Sequence, residues 1–186
     1  MYHDVFIAGT GGQGILLIGN IIAEAALAEG REVTFLPSYG VEMRGGNANC
    51  TIVISDREIG SPSINTPQVL IAMSRRAQVL YEAKVLPNGL MILNSSLVPA
   101  AEVKRRNFEL LALPVNDIAA ELGNVRLANM ITLGVYVGKS AAVKLESLEE
   151  GMEEALSERN RKFIPQNMEA IKKGYDIARN GYRGDH

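Results

Sequence analysis

The sequence has one cysteine, two histidines, no tryptophan and no excess of basic charge. Each shortage removes a class of function. A lone Cys50 can form no internal disulfide and cannot by itself hold an iron–sulfur cluster. It precedes the apolar run Thr51-Ile52-Val53-Ile54 and reads as a buried strand residue. A nucleophilic thiol would want a histidine beside it. The two histidines, His3 and His186, stand at opposite ends of the chain, on segments expected to be mobile. So few histidines and cysteines also argue against a protein metal site. With 19 basic and 21 acidic side chains, the net charge is −2, and no nucleic-acid partner is expected. The most apolar stretch, residues 15–27, is broken by Asn20 and Glu24 and is too short to span a bilayer, so no membrane association is expected. The first residues show neither a basic region nor a small-residue cleavage site, so no secretory signal is expected and the chain reads as cytoplasmic.

What is present is the material of one well-cored domain, read as spanning residues 1–186. Strand and helix alternate. Residues 5–8 read as a short buried strand, and 15–29 as a helix stopped by Gly30. Residues 32–36 read as a strand ended by Pro37, and 48–55 as a third strand. A fourth apolar run covers 69–73. Ser74 is expected to cap a helix running to about Leu86. Strands follow at 90–93 and 108–115. Asn116 is expected to cap a short helix closed by Gly123. Helices are then expected over 127–138, 144–157 and 165–179. In the first of these last two, Leu145, Leu148, Met152 and Leu156 form a core stripe. Continuous apolar strands alternating with helices predict an α/β fold: a Rossmann-like, doubly wound, mainly parallel sheet with helices on both faces and C-terminal helices packed against it.

Gly9-Thr10-Gly11-Gly12-Gln13-Gly14 follows the first strand and opens the first helix. Glycines in that place let the chain turn tightly and let an anion approach a helix N-terminus. A dinucleotide site also wants an acid at the end of the second strand, to bond the ribose hydroxyls. That end reads Leu36-Pro37-Ser38, and no Walker lysine follows the loop. Three readings stay open: a packing turn, an anion cradle, or a face for a partner chain. The second loop, residues 37–47, is expected on the same sheet edge and is chemically denser. Tyr39, Glu42 and Arg44 supply a hydroxyl, a carboxylate and a guanidinium, while Gly40, Gly45 and Gly46 permit close approach. An internal Glu42–Arg44 ion pair on a solvated loop is the plain alternative.

GTGGQG after the first strand, paired with PSYGVEMRGG after the second, resembles the gamma subunit of the 2-oxoacid:ferredoxin oxidoreductases. The pyruvate, branched-chain 2-oxoacid and 2-oxoglutarate enzymes belong to that family. The likeness continues in Asn49–Ser55, in Asn129–Gly134, and in a last helix carrying Asn167-Met168-Glu169-Ala170 and Gly174. The resemblance implies a subunit of a complex that oxidatively decarboxylates a 2-oxoacid, passes the acyl group to coenzyme A and reduces ferredoxin. Thiamine diphosphate, Mg²⁺ and [4Fe–4S] clusters would sit on thiamine-binding and cluster-binding partner chains. The sequence agrees, having neither cluster cysteines nor a Gly-Asp-Gly run ending in Asn-Asn. No catalytic residue is expected here. The expected ligand or interface residues are Gly9, Gly11, Gly12, Gln13, Gly14, Ser38, Tyr39, Gly40, Glu42, Arg44, Gly45, Gly46 and Asn129. Arg44 and the first helix N-terminus would meet the phosphates of coenzyme A. A separate short gamma chain leans toward 2-oxoglutarate as substrate. The rivals are a free-standing nucleotide- or flavin-binding oxidoreductase and a purely structural assembly subunit. Residues 15–27 are apolar on most faces, so the first helix should be buried, either by the C-terminal helices or by a neighbouring chain.

Overall fold

Short apolar runs separated by glycine and polar turns assemble into one six-stranded sheet, seen in a computed structural model that describes residues 1–39 and 46–182. The strands are β1 (Tyr2–Thr10), β2 (Glu32–Tyr39), β3 (Asn47–Ser55), β4 (Val69–Ala72), β5 (Leu90–Asn94) and β6 (Glu109–Leu113). Their order across the sheet is β2-β3-β1-β4-β5-β6. β1, β4, β5 and β6 are parallel, while β3 runs against both β1 and β2. Every residue of β4 is buried, as its unbroken apolar composition requires of an inner parallel strand.

The helices are α1 (Ile15–Ala28), α2 (Arg75–Tyr81), α3 (Val115–Glu121), α4 (Ala128–Ser140), α5 (Ser147–Ala155), α6 (Glu158–Arg161) and α7 (Ile164–Asn180). They are shared unequally between the faces. Val5, Ile7, Cys50, Ile52, Ile71 and Ile92 point into one apolar cluster together with the inner sides of α1, α3, α4, α5 and α7. Ala8, Leu70, Ala72, Met91 and Leu93 point the other way, where α2 and the segment 98–108 cover them.

Helix α1 ends as expected. The Gly30 N–H donates to Leu27 O, and its φ of 75° is one that glycine adopts without cost. Ile15, Ile18, Ile21 and Ile22 are all buried, each contributing roughly 2–3 kcal/mol of apolar burial. One side of α1 lies on the sheet, with Gly19 against Cys50 and Phe35. Its other side is covered from within the chain by α5, where Gly151 meets the Ile21 carbonyl and the Ala25 amide. Leu148 and Met152 are fully buried on that helix, as the core stripe requires. Helices α4 and α7 pack still more closely. A Cβ placed at Gly134 would fall on the backbone of Ile171, and one at Gly174 on the backbone of Ile131.

Four local expectations need correction. β2 runs through Pro37 to Tyr39, because it is the edge strand, where a residue without an N–H is tolerated. α2 stops at Tyr81 and gives way to a 3-10 turn, Glu82–Lys84. There the buried Glu82 carboxylate accepts N–H groups from Lys104 and Arg105, so tertiary bonds override helix propensity. Asn116 does not cap α3. The Ser96 hydroxyl, from the loop after β5, accepts the Asn116 and Asp117 N–H groups instead. His3 is not on a loose end. It belongs to β1, opposite Ile54, and its Nε2 is buried without a partner. Ser74 does cap α2, accepting the Ala77 N–H.

Cys50 is buried, and burial pushes its thiol up to about 12. The native thiol therefore stays protonated where the unfolded chain begins to ionise, near pH 9. The native state then holds more protons, so stability should fall as pH rises from 9 toward 12, by on the order of 1 kcal/mol per unit. Urea midpoints taken between pH 8 and 11 should fall less for Cys50→Ala than for the wild type. The buried phenol of Tyr136, also shifted upward, adds a loss common to both proteins. Parallel curves would contradict the assignment.

Candidate functional site

All of the parallel strands deliver their carboxyl ends to one edge, and β2 does so as well. Thr10 lies opposite Asn47 and Tyr39 opposite Ala48, so the glycine loop and the two described ends of the second loop share that edge. A hydrogen bond joins them: the Gly11 N–H donates to Gly46 O at 2.9 Å. From β1 the chain passes to β2 and β3 on one side and then to β4 on the other. The crevice between the ends of β1 and β4 is therefore the topological switch point, where ligands of open α/β sheets bind.

A cleft of about 480 Å³ opens there. Its lining includes Gly12, Gln13, Gly14, Met73, Asn116, Arg126 and Asn129. Gln13 braces the loop. Its Oε1 accepts the Thr10 N–H at 2.7 Å, and its Nε2 donates to Met73 O at 2.9 Å, tying the end of β1 to the end of β4. Gly9 has no room for a side chain, since a Cβ would lie 2.5 Å from Gln13 Oε1. Gly14 caps α1 with φ 72°, and a Cβ there would collide with Asn129 Nδ2.

Asn129 sits in the first turn of α4 and is 6% exposed. Its Oδ1 accepts the Met130 N–H at 2.9 Å, while its Nδ2 is set against Gly14 at the cleft floor. Arg126 stands exposed at the rim, just before α4. A second cleft of about 380 Å³ adjoins the first and shares Arg126 and Asn129. It runs over Leu17, Phe163, Asn160, Gln166 and Asn167. The first cleft thus offers mainly donors: an amide, a guanidinium and the unpaired N–H groups of a helix N-terminus. That set suits an oxyanion such as phosphate.

Of the residues expected here, Gly9, Gly11, Gly12, Gln13, Gly14, Gly46 and Asn129 come together at this edge. Ser38 is exposed near the end of β2. Gly40, Glu42, Arg44, Gly45 and the side chain of Tyr39 lie outside the described residues. Sequence reasoning missed Arg126, Met73 and Asn116. Arg126 lies within a short 3-10 turn, Val125–Leu127, that no periodicity marks. The missing ribose acid has a topological counterpart. The neighbour of β1 on the second-strand side is the antiparallel β3, so β2 does not stand where a dinucleotide fold needs it. Among the described residues no group of three His, Cys, Asp or Glu side chains is placed to hold a metal, and no helix is long and apolar enough to cross a membrane.

Fold and edge together define a Rossmann-like α/β chain with a ligand crevice at its switch point. The family model described as pyruvate ferredoxin/flavodoxin oxidoreductase matches residues 4–177, and the chain belongs to that family. It is 34% identical over 182 residues to the ketoisovalerate oxidoreductase subunit VorA of Methanothermobacter marburgensis, covering 97% of this chain but 37% of that one. The chain thus spans little more than a third of those relatives. It is 30% identical to the 2-oxoglutarate synthase subunit KorC of Methanothermobacter thermautotrophicus, with 97% of each chain covered. The gamma subunit of a keto/oxoacid ferredoxin oxidoreductase from Geobacter sulfurreducens superposes with a TM-score of 0.80 at 28% identity, over 95% of this chain and 98% of that one. A 2-oxoglutarate:ferredoxin oxidoreductase from Magnetococcus marinus, solved with 2-oxoglutarate, coenzyme A and succinyl-CoA, shares the fold at TM-score 0.84 and 22% identity, over 99% of this chain and 32% of that one.

Proposed function

We propose that this chain is one gamma-type domain of a cytoplasmic complex that oxidatively decarboxylates a 2-oxoacid, forms the acyl-CoA and reduces ferredoxin, with 2-oxoglutarate as the substrate. The observation that carries the reading is the end-to-end match with a free-standing 2-oxoglutarate synthase subunit, 97% of either chain. A relative matched over its whole length is a better guide to a subunit's place than one matched over 37% of its own. Thiamine diphosphate and Mg²⁺ are assigned to partner chains, and the clusters do not fit the residues of this chain. Cys50, the one cysteine, is buried beneath α1 with its thiol held protonated. Those groups belong to thiamine-binding and cluster-binding chains.

Coenzyme A does fit. It is long and carries several phosphates. The switch-point cleft, with Asn129, Arg126 and the start of α1, would hold a phosphate. The adjoining amide-lined groove over Phe163 would take an elongated apolar-and-amide arm. Bound there, coenzyme A supplies the thiol that accepts the acyl group. The chain's own part is to bind and orient it: Gln13 keeps the loop in shape, and Gly14 keeps the floor open. Arg44 stands two residues before Gly46 in the sequence and lies outside the described residues. Purification through a tag on this chain tests the subunit reading. Thiamine-binding and cluster-binding chains in fixed ratio are expected, and a chain recovered alone would contradict it.

A further inference from the structure

Helix α2 is amphipathic the wrong way round. Its inward side carries Ala77, Gln78 and, on the following 3-10 turn, Glu82, all buried. Gln78 donates to the Glu82 carboxylate, which also accepts the Lys104 and Arg105 N–H groups at 2.7 and 2.6 Å. Polar residues are thus spent on fixing the helix to the segment 100–106, and Arg75 pairs with Glu102 across the same seam. The outward side carries Arg76, Val79, Leu80 and Ala83, spaced as one helical stripe. Val79 is 67% exposed and Leu80 46%. Scattered exposed apolar residues need no explanation. A helix that buries its amides and carboxylate while presenting its valine and leucine to water does, because burial of polar groups costs free energy unless each is bonded.

The charge around the stripe is lopsided too. Residues 74–108 carry six basic and two acidic side chains, in a chain of net charge −2. Of the two acids, Glu82 is buried inside the layer and Glu102 is paired with Arg75 at the surface. Arg76, Lys84 and Lys104 are exposed. An apolar centre rimmed by cations is the pattern of a protein interface, with steering by charge and affinity from the buried centre. A nucleic-acid face would present cations and polar groups without a valine–leucine centre. In the ketoisovalerate relative VorA the matched region is 37% of the chain, so further polypeptide is joined to this domain there.

We infer that the outer side of α2, with Val79 and Leu80 ringed by Arg76, Lys84 and Lys104, is the docking surface for an acidic protein surface on another chain of the complex. This rests on the subunit reading above. The test is co-expression of the tagged chain with the thiamine-binding and cluster-binding chains of its source, followed by tag purification at low and high salt. Val79→Asp with Leu80→Asp, and separately Arg76→Glu with Lys84→Glu, should each cut partner recovery roughly tenfold or more, as loss of interface centres does. Glu149→Lys with Glu153→Lys, on exposed positions of α5, should leave recovery unchanged. Thermal unfolding of each variant should match the wild type, since all of these side chains are exposed. Rising salt should weaken the wild-type assembly. Wild-type recovery by the α2 variants would overturn the surface while leaving the subunit reading intact. A wild type that captures neither chain would overturn both. Recovery of nucleic acid in place of protein would overturn the surface, as would self-association of the chain that the α2 variants abolish.

Discussion

Replacing Gly134 by alanine should cost about 3 kcal/mol of stability, at the upper end of what overpacking a tight core costs. The added Cβ would lie on the Ile171 carbonyl oxygen, 2.8 Å from its carbon and 2.9 Å from the Tyr175 nitrogen. These are backbone atoms, so no side chain can swing aside. Gly174→Ala meets the same obstacle from the other helix, at the Ile131 carbonyl and 3.0 Å from Val135 N. Either change should lower Tm by about 6–12 °C at the usual slope for a domain of this size. Because α4 and α7 share one contact, the double variant should lose less than the sum of the two. Gly60→Ala is the control, with open space around it and no positive φ, and should stay within about 0.5 kcal/mol of the wild type. Urea denaturation of the wild type, the three single variants and the double variant measures all of this. A Gly134→Ala protein as stable as Gly60→Ala would show that the helices do not approach so closely.

Coenzyme A should bind the complex roughly 10- to 100-fold more weakly when Arg126 is replaced by alanine. A hydrogen bond to a charged group contributes about 1.5–3 kcal/mol, and each 1.4 kcal/mol is tenfold. Arg126 is exposed, so the fold should not change. Pantetheine, which lacks the phosphates, should bind both proteins alike. Asn129→Leu removes the buried donor at the cleft floor and should weaken coenzyme A in the same selective way, with some loss of stability because Asn129 packs against Gly14. Isothermal titration against the intact complex separates the cases. Equal weakening of coenzyme A and pantetheine would point to general damage, and no weakening would remove Arg126 from the site.

Much of the fold was legible because periodicity and punctuation agreed. β4 reads as an inner strand from four apolar residues in a row, and α1 as a buried helix bounded by glycines at both ends. Strand order was not legible. Nothing in Ala48–Ser55 says that β3 inserts antiparallel between β1 and β2, since a continuous apolar run reads the same in either direction. The α3 cap was misread because its acceptor, Ser96, comes from twenty residues away, where no local pattern reaches. At the site, the glycine loop and Asn129 were readable as a motif. The reason Gly14 must be glycine was not, because Asn129 meets it only after the chain has closed. Arg126 was invisible for a related cause: it is an ordinary surface arginine until α4 sets it at the mouth of the crevice. The inverted side of α2 could have been found by setting Val79 and Leu80 against Gln78 and Glu82. Without burial, that stripe reads the same as an ordinary core face.

The most direct measurement is of the complex purified through a tag on this chain, assayed for reduction of a viologen dye with 2-oxoglutarate, pyruvate or 2-oxoisovalerate, with and without coenzyme A. Reduction that requires both a 2-oxoacid and coenzyme A, fastest with 2-oxoglutarate, is the expected result. Reduction fastest with another 2-oxoacid would keep the subunit assignment and change the substrate. A purified assembly that reduces the dye with none of the three would contradict the assignment itself.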